Sequence, residues 1–142
     1  MKISGDNEIF TEWHSPEVSA DGWLDSYALT LSGREMQATV QVSNPPYGES
    51  PVDFFESLAS NWQGWSGTKE WASLEGEYQL SAKTDSTGHI TLSVRVWSGT
   101  WEPFWSSEVV IVIEAGQLEK IASNIRQFIY PTANNGVMCV GP

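Results

Sequence analysis

The sequence predicts an α+β domain in which an antiparallel sheet of about six strands carries two amphipathic helices, in the order β-β-β-α-β-β-β-α. Three observations lead there. Two long segments alternate apolar and polar residues and are each broken by a turn, the pattern of an antiparallel hairpin with one face in the core. Two others repeat their apolar residues at helical spacing between start and stop signals. The 142 residues suit a single domain, spanning 1–142, with one hydrophobic core.

The elements follow in chain order. Asp6 to Trp13 reads as a weak first strand, ended by Ser15-Pro16. Tyr27, Leu29 and Leu31 alternate with Ser26, Ala28, Thr30 and Ser32; Gly33 then breaks the run. Met36, Ala38, Val40 and Val42 alternate in turn with Glu35, Gln37, Thr39 and Gln41, which completes a hairpin. After the loop Asn44-Pro45-Pro46-Tyr47-Gly48, Ser50 is placed to cap a helix, Pro51 suits its first position, and Asp53 meets the positive end of its dipole. Val52, Phe55, Leu58, Ala59 and Trp62 form the apolar stripe of that helix, expected over Pro51 to Gln63, with Trp62 in the core.

The second hairpin is the clearest. Tyr78, Leu80 and Ala82 alternate with polar neighbours, Asp85-Ser86-Thr87-Gly88 turns the chain, and Ile90, Leu92, Val94 and Val96 alternate again. Val109 to Ile113 is an unbroken apolar run, as expected of a strand covered on both faces. Gly116 leads into a second helix from about Gln117 to Tyr130, with Leu118, Ile121, Ala122, Ile125, Phe128 and Ile129 on one stripe and Pro131 as its stop. No internal sequence repeat or dividing linker interrupts this pattern.

Composition narrows function by exclusion. Eighteen acidic residues against seven basic ones give a formal charge of −11. The basic residues are scattered singly, so nucleic-acid phosphates meet repulsion and no binding patch. The longest apolar run, Val109 to Ile113, is far short of the ~20 residues that span a bilayer, and the start of the chain has no signal-like apolar stretch. A cytoplasmic location is expected. The single cysteine, Cys139, and the two histidines, His14 and His89, have no zinc spacing, and neither metal nor cofactor is expected. No nucleophile elbow, phosphate loop or dinucleotide fingerprint occurs.

Eight tryptophans are the conspicuous feature, since each ring brings a large apolar area and an N–H that needs a partner when buried. They cluster in Trp62 to Trp71 and in Trp97 to Trp105. Trp65, Trp71, Trp101 and Trp105 are expected in loops or at strand ends, as a lid over the sheet end or as anchors for a partner, with Glu70 and Glu102 beside them. A carboxylate and histidine site at the sheet end is the catalytic alternative. Glu75 and Glu77 share a strand face and His89 follows the second hairpin turn, where Asp85 is expected to cap the turn.

The block Trp62-Gln63-Gly64-Trp65-Ser66-Gly67 through Trp71-Ala72-Ser73-Leu74-Glu75-Gly76-Glu77, with Asp85 to His89 and Glu114-Ala115-Gly116-Gln117-Leu118-Glu119, resembles the uncharacterised bacterial family called domain of unknown function 6228. The resemblance covers roughly Asp53 to Phe128, and it implies no catalytic residues. The layout of strand, polar turn, strand and then Glu-Ala-Gly-Gln-Leu opening a helix is also similar to WapI-like immunity proteins. That resemblance implies a domain that neutralises a toxin by covering its active site.

The reading that follows is an acidic protein-binding module of immunity or inhibitor type with a cationic partner such as a toxin. Its charge sets the association rate and its aromatic residues the residence time. The alternatives are the small enzyme and a self-associating structural domain.

Overall fold

The computed structural model describes residues 1–5, 8–99 and 104–131. Among these described residues eight strands and two helices are formed: β1 (Lys2–Ser4), β2 (Phe10–Val18), β3 (Leu24–Ser32), β4 (Gln37–Ser43), α1 (Pro51–Ser60), β5 (Lys69–Ala72), β6 (Tyr78–Thr84), β7 (His89–Trp97), β8 (Ser106–Glu114) and α2 (Leu118–Ile129), the last entered through a 3-10 turn at Ala115–Gln117. The α+β class holds, but the single six-stranded sheet does not. The strands make two antiparallel sheets of four, in the orders β1-β2-β3-β4 and β5-β6-β7-β8. Four strands followed by a helix therefore occur twice, without any repeat in the sequence. A sheet of this kind needs only an alternating pattern, which many residue choices satisfy.

Both expected hairpins are present. Tyr27, Leu29 and Leu31 on β3 and Val40 and Val42 on β4 are buried on one face. Tyr78, Leu80 and Ala82 on β6 and Ile90, Leu92, Val94 and Val96 on β7 do the same in the second sheet. The first strand differs from expectation, because β2 continues through Ser15-Pro16 to Val18. It does so by a bulge: the register shifts between His14 and Glu17, and Ser15 takes a positive φ of 53°. Proline is tolerated there because a bulge needs no ladder donor, and the three-residue β1 pairs only with Phe10–Glu12.

Helix α1 starts as the sequence dictates. The Ser50 hydroxyl accepts from the Val52 amide at 3.1 Å, and the Asp53 carboxylate accepts from the Ser50 amide at 3.3 Å. It ends at Ser60, earlier than expected. Asn61 bonds back to Ser57, and Gly64, at φ 123°, donates to the Asn61 carbonyl, turning the chain away. Trp62 consequently leaves the stripe and is 56% exposed, not in the core. The Val109–Ile113 run is also corrected. Val109, Ile111 and Ile113 are buried, whereas Val110 and Val112 are each 46% exposed on the outer face of an edge strand.

One core joins both sheets and both helices. Trp13 on β2 meets Phe55 of α1 edge-on at 6.0 Å, and Tyr27 on β3 meets Phe128 of α2 edge-on at 5.6 Å. The two helices are clamped by Arg126, whose Nε and second guanidinium nitrogen donate to the two Glu56 oxygens at 2.7 and 2.9 Å. Between the sheets runs a buried polar bridge. The Tyr27 and Tyr78 hydroxyls are 2.6 Å apart, and the Trp13 indole N–H donates to Tyr78 at 3.4 Å. Burial pushes both phenols well above their ordinary pKa. Among the described residues, no helix is long and apolar enough to cross a membrane.

Candidate functional site

The register decides where the tryptophans go. Trp65 is half-buried, its indole N–H donating to the Ala82 carbonyl at 3.3 Å near the end of β6, with the Lys69 ammonium 5.8 Å from the ring centre. Trp71 lies inside β5, only 7% exposed, and its N–H donates to the Glu49 carbonyl at 2.9 Å. Trp105, 43% exposed, stands before β8 next to Phe104, and the amides of both donate to the Ser98 hydroxyl. Trp101 and Glu102 lie outside the described residues, as does the final segment Ala133 to Pro142 with Cys139. Glu70 is exposed on β5 opposite Ser81.

These groups do not gather at one edge. Ala82 pairs with Leu92, while Trp97, beside Ser106, lies five positions further along β7, a separation of ~16 Å at strand rise. The reason is β5 itself. Its start lies beside the end of β6, so the loop carrying Trp62 and Trp65 enters at the end of the second sheet opposite to the one that Trp97 and Trp105 leave.

The carboxylates and the histidine are also held apart. Glu75 is exposed in the turn before β6, and Glu77 precedes Tyr78 at the same end, its carbonyl accepting from the Trp97 amide. One Glu77 oxygen accepts from the amide and hydroxyl of Ser43 at 2.9 and 3.0 Å; the other, Oε1, is buried with no hydrogen-bond partner. His89 begins β7, eight positions from Trp97, or ~26 Å along the strand. It belongs to a different cluster, in the second hairpin turn. Nε2 lies 3.0 Å from Glu114, and Nδ1 lies 2.6 Å from the Thr87 hydroxyl.

Asp85 closes that turn as expected, one oxygen accepting from the Thr87 hydroxyl and amide and from the His89 amide. The Thr87 hydroxyl first, then those amides, hold its pKa down at about 2. The chemistry of this cluster is that of a turn fastened to the end of β8, open to solvent. Among the described residues, no three His, Cys, Asp or Glu side chains gather as a metal site.

A third place, not anticipated from the sequence, brings aromatic and acidic residues together. The connection from β4 to α1 arches over a cleft of about 70 Å³, walled by Trp23, Tyr27, Tyr47, Trp71, Leu74 and Tyr130. Two indoles staple the arch at its ends: Trp23 donates to the Asn44 carbonyl at 3.0 Å and Trp71 to the Glu49 carbonyl. Asn44 is itself fixed by its amide side chain on the Leu24 carbonyl at 2.8 Å. Gly48, at φ 86°, makes the sharp turn that an L side chain would strain. Tyr47 and Leu74 remain 66% and 58% exposed at the mouth.

Glu49 lines both this cleft and a neighbouring open hollow walled by Asp53, Phe54, Ser57, Lys69 and Glu70. Lys69 donates to the Ser57 hydroxyl at 3.1 Å. The sequence signals for the cleft were the candidate anchor Trp71 and an aromatic residue inside a Pro-Pro-Tyr-Gly loop.

Two four-stranded meanders, each closed by a helix, with an aromatic cleft at their junction, define a small α+β domain built as paired ββββα halves. The chain belongs to the family of unknown function DUF6228, whose model matches residues 3–132. The match extends well beyond the segment that carried the resemblance in the sequence. No curated protein matches the chain. Among solved structures it is similar to the plant transcriptional regulator PBF-2, with a TM-score of 0.55 and 12% identity over 100% of this chain and 87% of that one. That likeness is one of fold.

Proposed function

We propose that this domain is a protein-binding module of immunity or inhibitor type, acting in the cytoplasm by covering a cationic partner. One observation carries the reading: Tyr47 and Leu74 project at the mouth of a preformed cleft that Glu49 lines beside Asp53 and Glu70, with Glu75 exposed next to Leu74. An apolar centre with a charged rim is the anatomy of a protein interface. The formal charge of −11 supplies the field that draws in a basic protein. Glu70 of the expected set lines the neighbouring hollow, together with Glu49, Asp53 and Lys69. Trp105 with Phe104, and Trp65 beside Lys69, offer further aromatic contacts away from it.

A small-molecule enzyme is less well supported. Glu75 and Glu77 stand far from His89, and the open hollows of metabolite size, about 530 Å³ beside Trp62 and Glu119 and about 400 Å³ beside Lys2 and Lys120, are lined by none of these three residues.

The test is to search the genes beside this chain for a cationic toxin and, with that toxin in hand, to titrate the two calorimetrically at low and at high salt; a neighbourhood without one counts against the immunity reading. Tight association that weakens with salt is expected, and joint reversal of Glu49, Glu70 and Glu75 to lysine is expected to weaken it about a hundredfold or more. Binding indifferent to both salt and charge reversal rejects the reading.

A further inference from the structure

We infer that the cleft beneath Tyr47 receives a single cationic side chain, lysine or arginine, presented by the partner; the inference rests on the function proposed above and names what its surface grips. Size sets the first limit. About 70 Å³ accommodates the end of one side chain and not a helix or a metabolite. Chemistry sets the second. The walls are chiefly aromatic and proline, and ring faces attract cations through their quadrupole.

Four hydrogen-bond donors of those walls are already committed. The N–H of Trp23 serves Asn44, the N–H of Trp71 serves Glu49, the Ser43 hydroxyl serves Glu77, and the Tyr27 hydroxyl is paired with Tyr78. What is left is ring faces, carbonyl oxygens, the amides of the 47–49 turn and the hydroxyls of Tyr47, Ser50, Ser73 and Tyr130, which can accept as well as donate. The Tyr130 ring already has Arg126 over it at 5.6 Å, so the ring faces of Tyr47, Trp23 and Trp71 are the ones offered to a cation. Among the described residues that line the cleft none is basic, and Glu49 is acidic. Behind Ser43, the buried Glu77 oxygen without a hydrogen-bond partner adds negative potential under that wall. An alkyl side chain of the same length fits the space but gains none of this attraction.

The experiment is an NMR titration of the isotope-labelled full chain with blocked tripeptides Ala-Lys-Ala, Ala-Arg-Ala and Ala-norleucine-Ala, read at the indole N–H groups of Trp23 and Trp71. The lysine and arginine peptides are expected to shift both signals saturably and to bind at least about tenfold more tightly than the norleucine peptide. Tyr47→Ala is expected to weaken the lysine peptide about tenfold, and Tyr47→Phe, which keeps the ring face, to preserve it. Since Tyr47 is 66% exposed, neither variant disturbs the core.

Equal or tighter binding of norleucine overturns the inference, as do shifts confined to residues outside the cleft. If the peptides fail while salt-sensitive association with the toxin persists, this inference alone falls. Loss of that salt sensitivity removes the proposed function beneath it.

Discussion

Single residues carry separable costs in this fold. Thr11 is fully buried on β2, and its hydroxyl has no hydrogen-bond partner among the described residues. A buried donor left unmade costs about 1–3 kcal/mol, and a methyl of the same shape does not incur it. Thr11→Val is therefore expected to raise stability by about 1 kcal/mol, measured as a higher urea midpoint with an unchanged m-value. Trp71 shows the opposite case. It was legible as an aromatic residue between glycine-rich stretches, yet its burial was not, because the group that satisfies its N–H, the Glu49 carbonyl, lies 22 positions away in the chain.

The legible strands were the long ones with unbroken alternation; β2, interrupted by its bulge, and β8, apolar throughout its middle, were read less well despite nine residues each. The hairpins β3–β4 and β6–β7 have strands of seven to nine residues, long enough for alternation to announce a buried face. Strands β1 and β5 have three and four residues, too few for a period. They exist because β2 and β6 offer a ladder to pair with. With β5 unrecognised, nothing in the sequence separated the two tryptophan clusters, which the register sets at opposite ends of the second sheet. The cleft was illegible for a related reason: Trp23, the 44–51 connection, Trp71 and Tyr130 come from four separate places in the sequence.

The pairing of α1 with α2 makes its own prediction. The Glu56 carboxyl is held below its ordinary pKa by hydrogen bonding from Arg126, but the two side chains are 40% and 52% exposed. Solvent screening limits such a pair to about 0.5 kcal/mol. Arg126→Ala is expected to cost about that much at low salt and less at high salt. Because the folded pKa of Glu56 is lowered, the stabilisation is present above about pH 4 and fades as pH falls through that lowered range. Urea titrations of both proteins at neutral and acid pH read it directly.

At the scale of the whole molecule, charge opposes compactness. A chain carrying −11 repels itself, and added salt screens that repulsion. Its Tm is expected to rise with sodium chloride, by roughly 3 °C for each kcal/mol of repulsion removed; a scanning-calorimetry series in which Tm is flat or falls contradicts this. The same charge bears on self-association. Antiparallel pairing of two copies of β8 centred on Ile111 brings their exposed valines together but sets Glu108 against Glu114, and like charges directly opposite are destabilising. The edge strand thus discourages its own copies.

The phenol pair between the sheets gives the molecule an alkaline limit. An unfolded chain releases both protons above about pH 10, whereas burial makes the folded seam retain them. Two protons withheld correspond to stability falling by about 2.7 kcal/mol per pH unit once the unfolded phenols are ionised. Replacing Tyr78 with phenylalanine leaves one such proton, and the decline with pH is expected to become about half as steep. Strong base thus loosens the whole fold through the seam where the two hydroxyls touch.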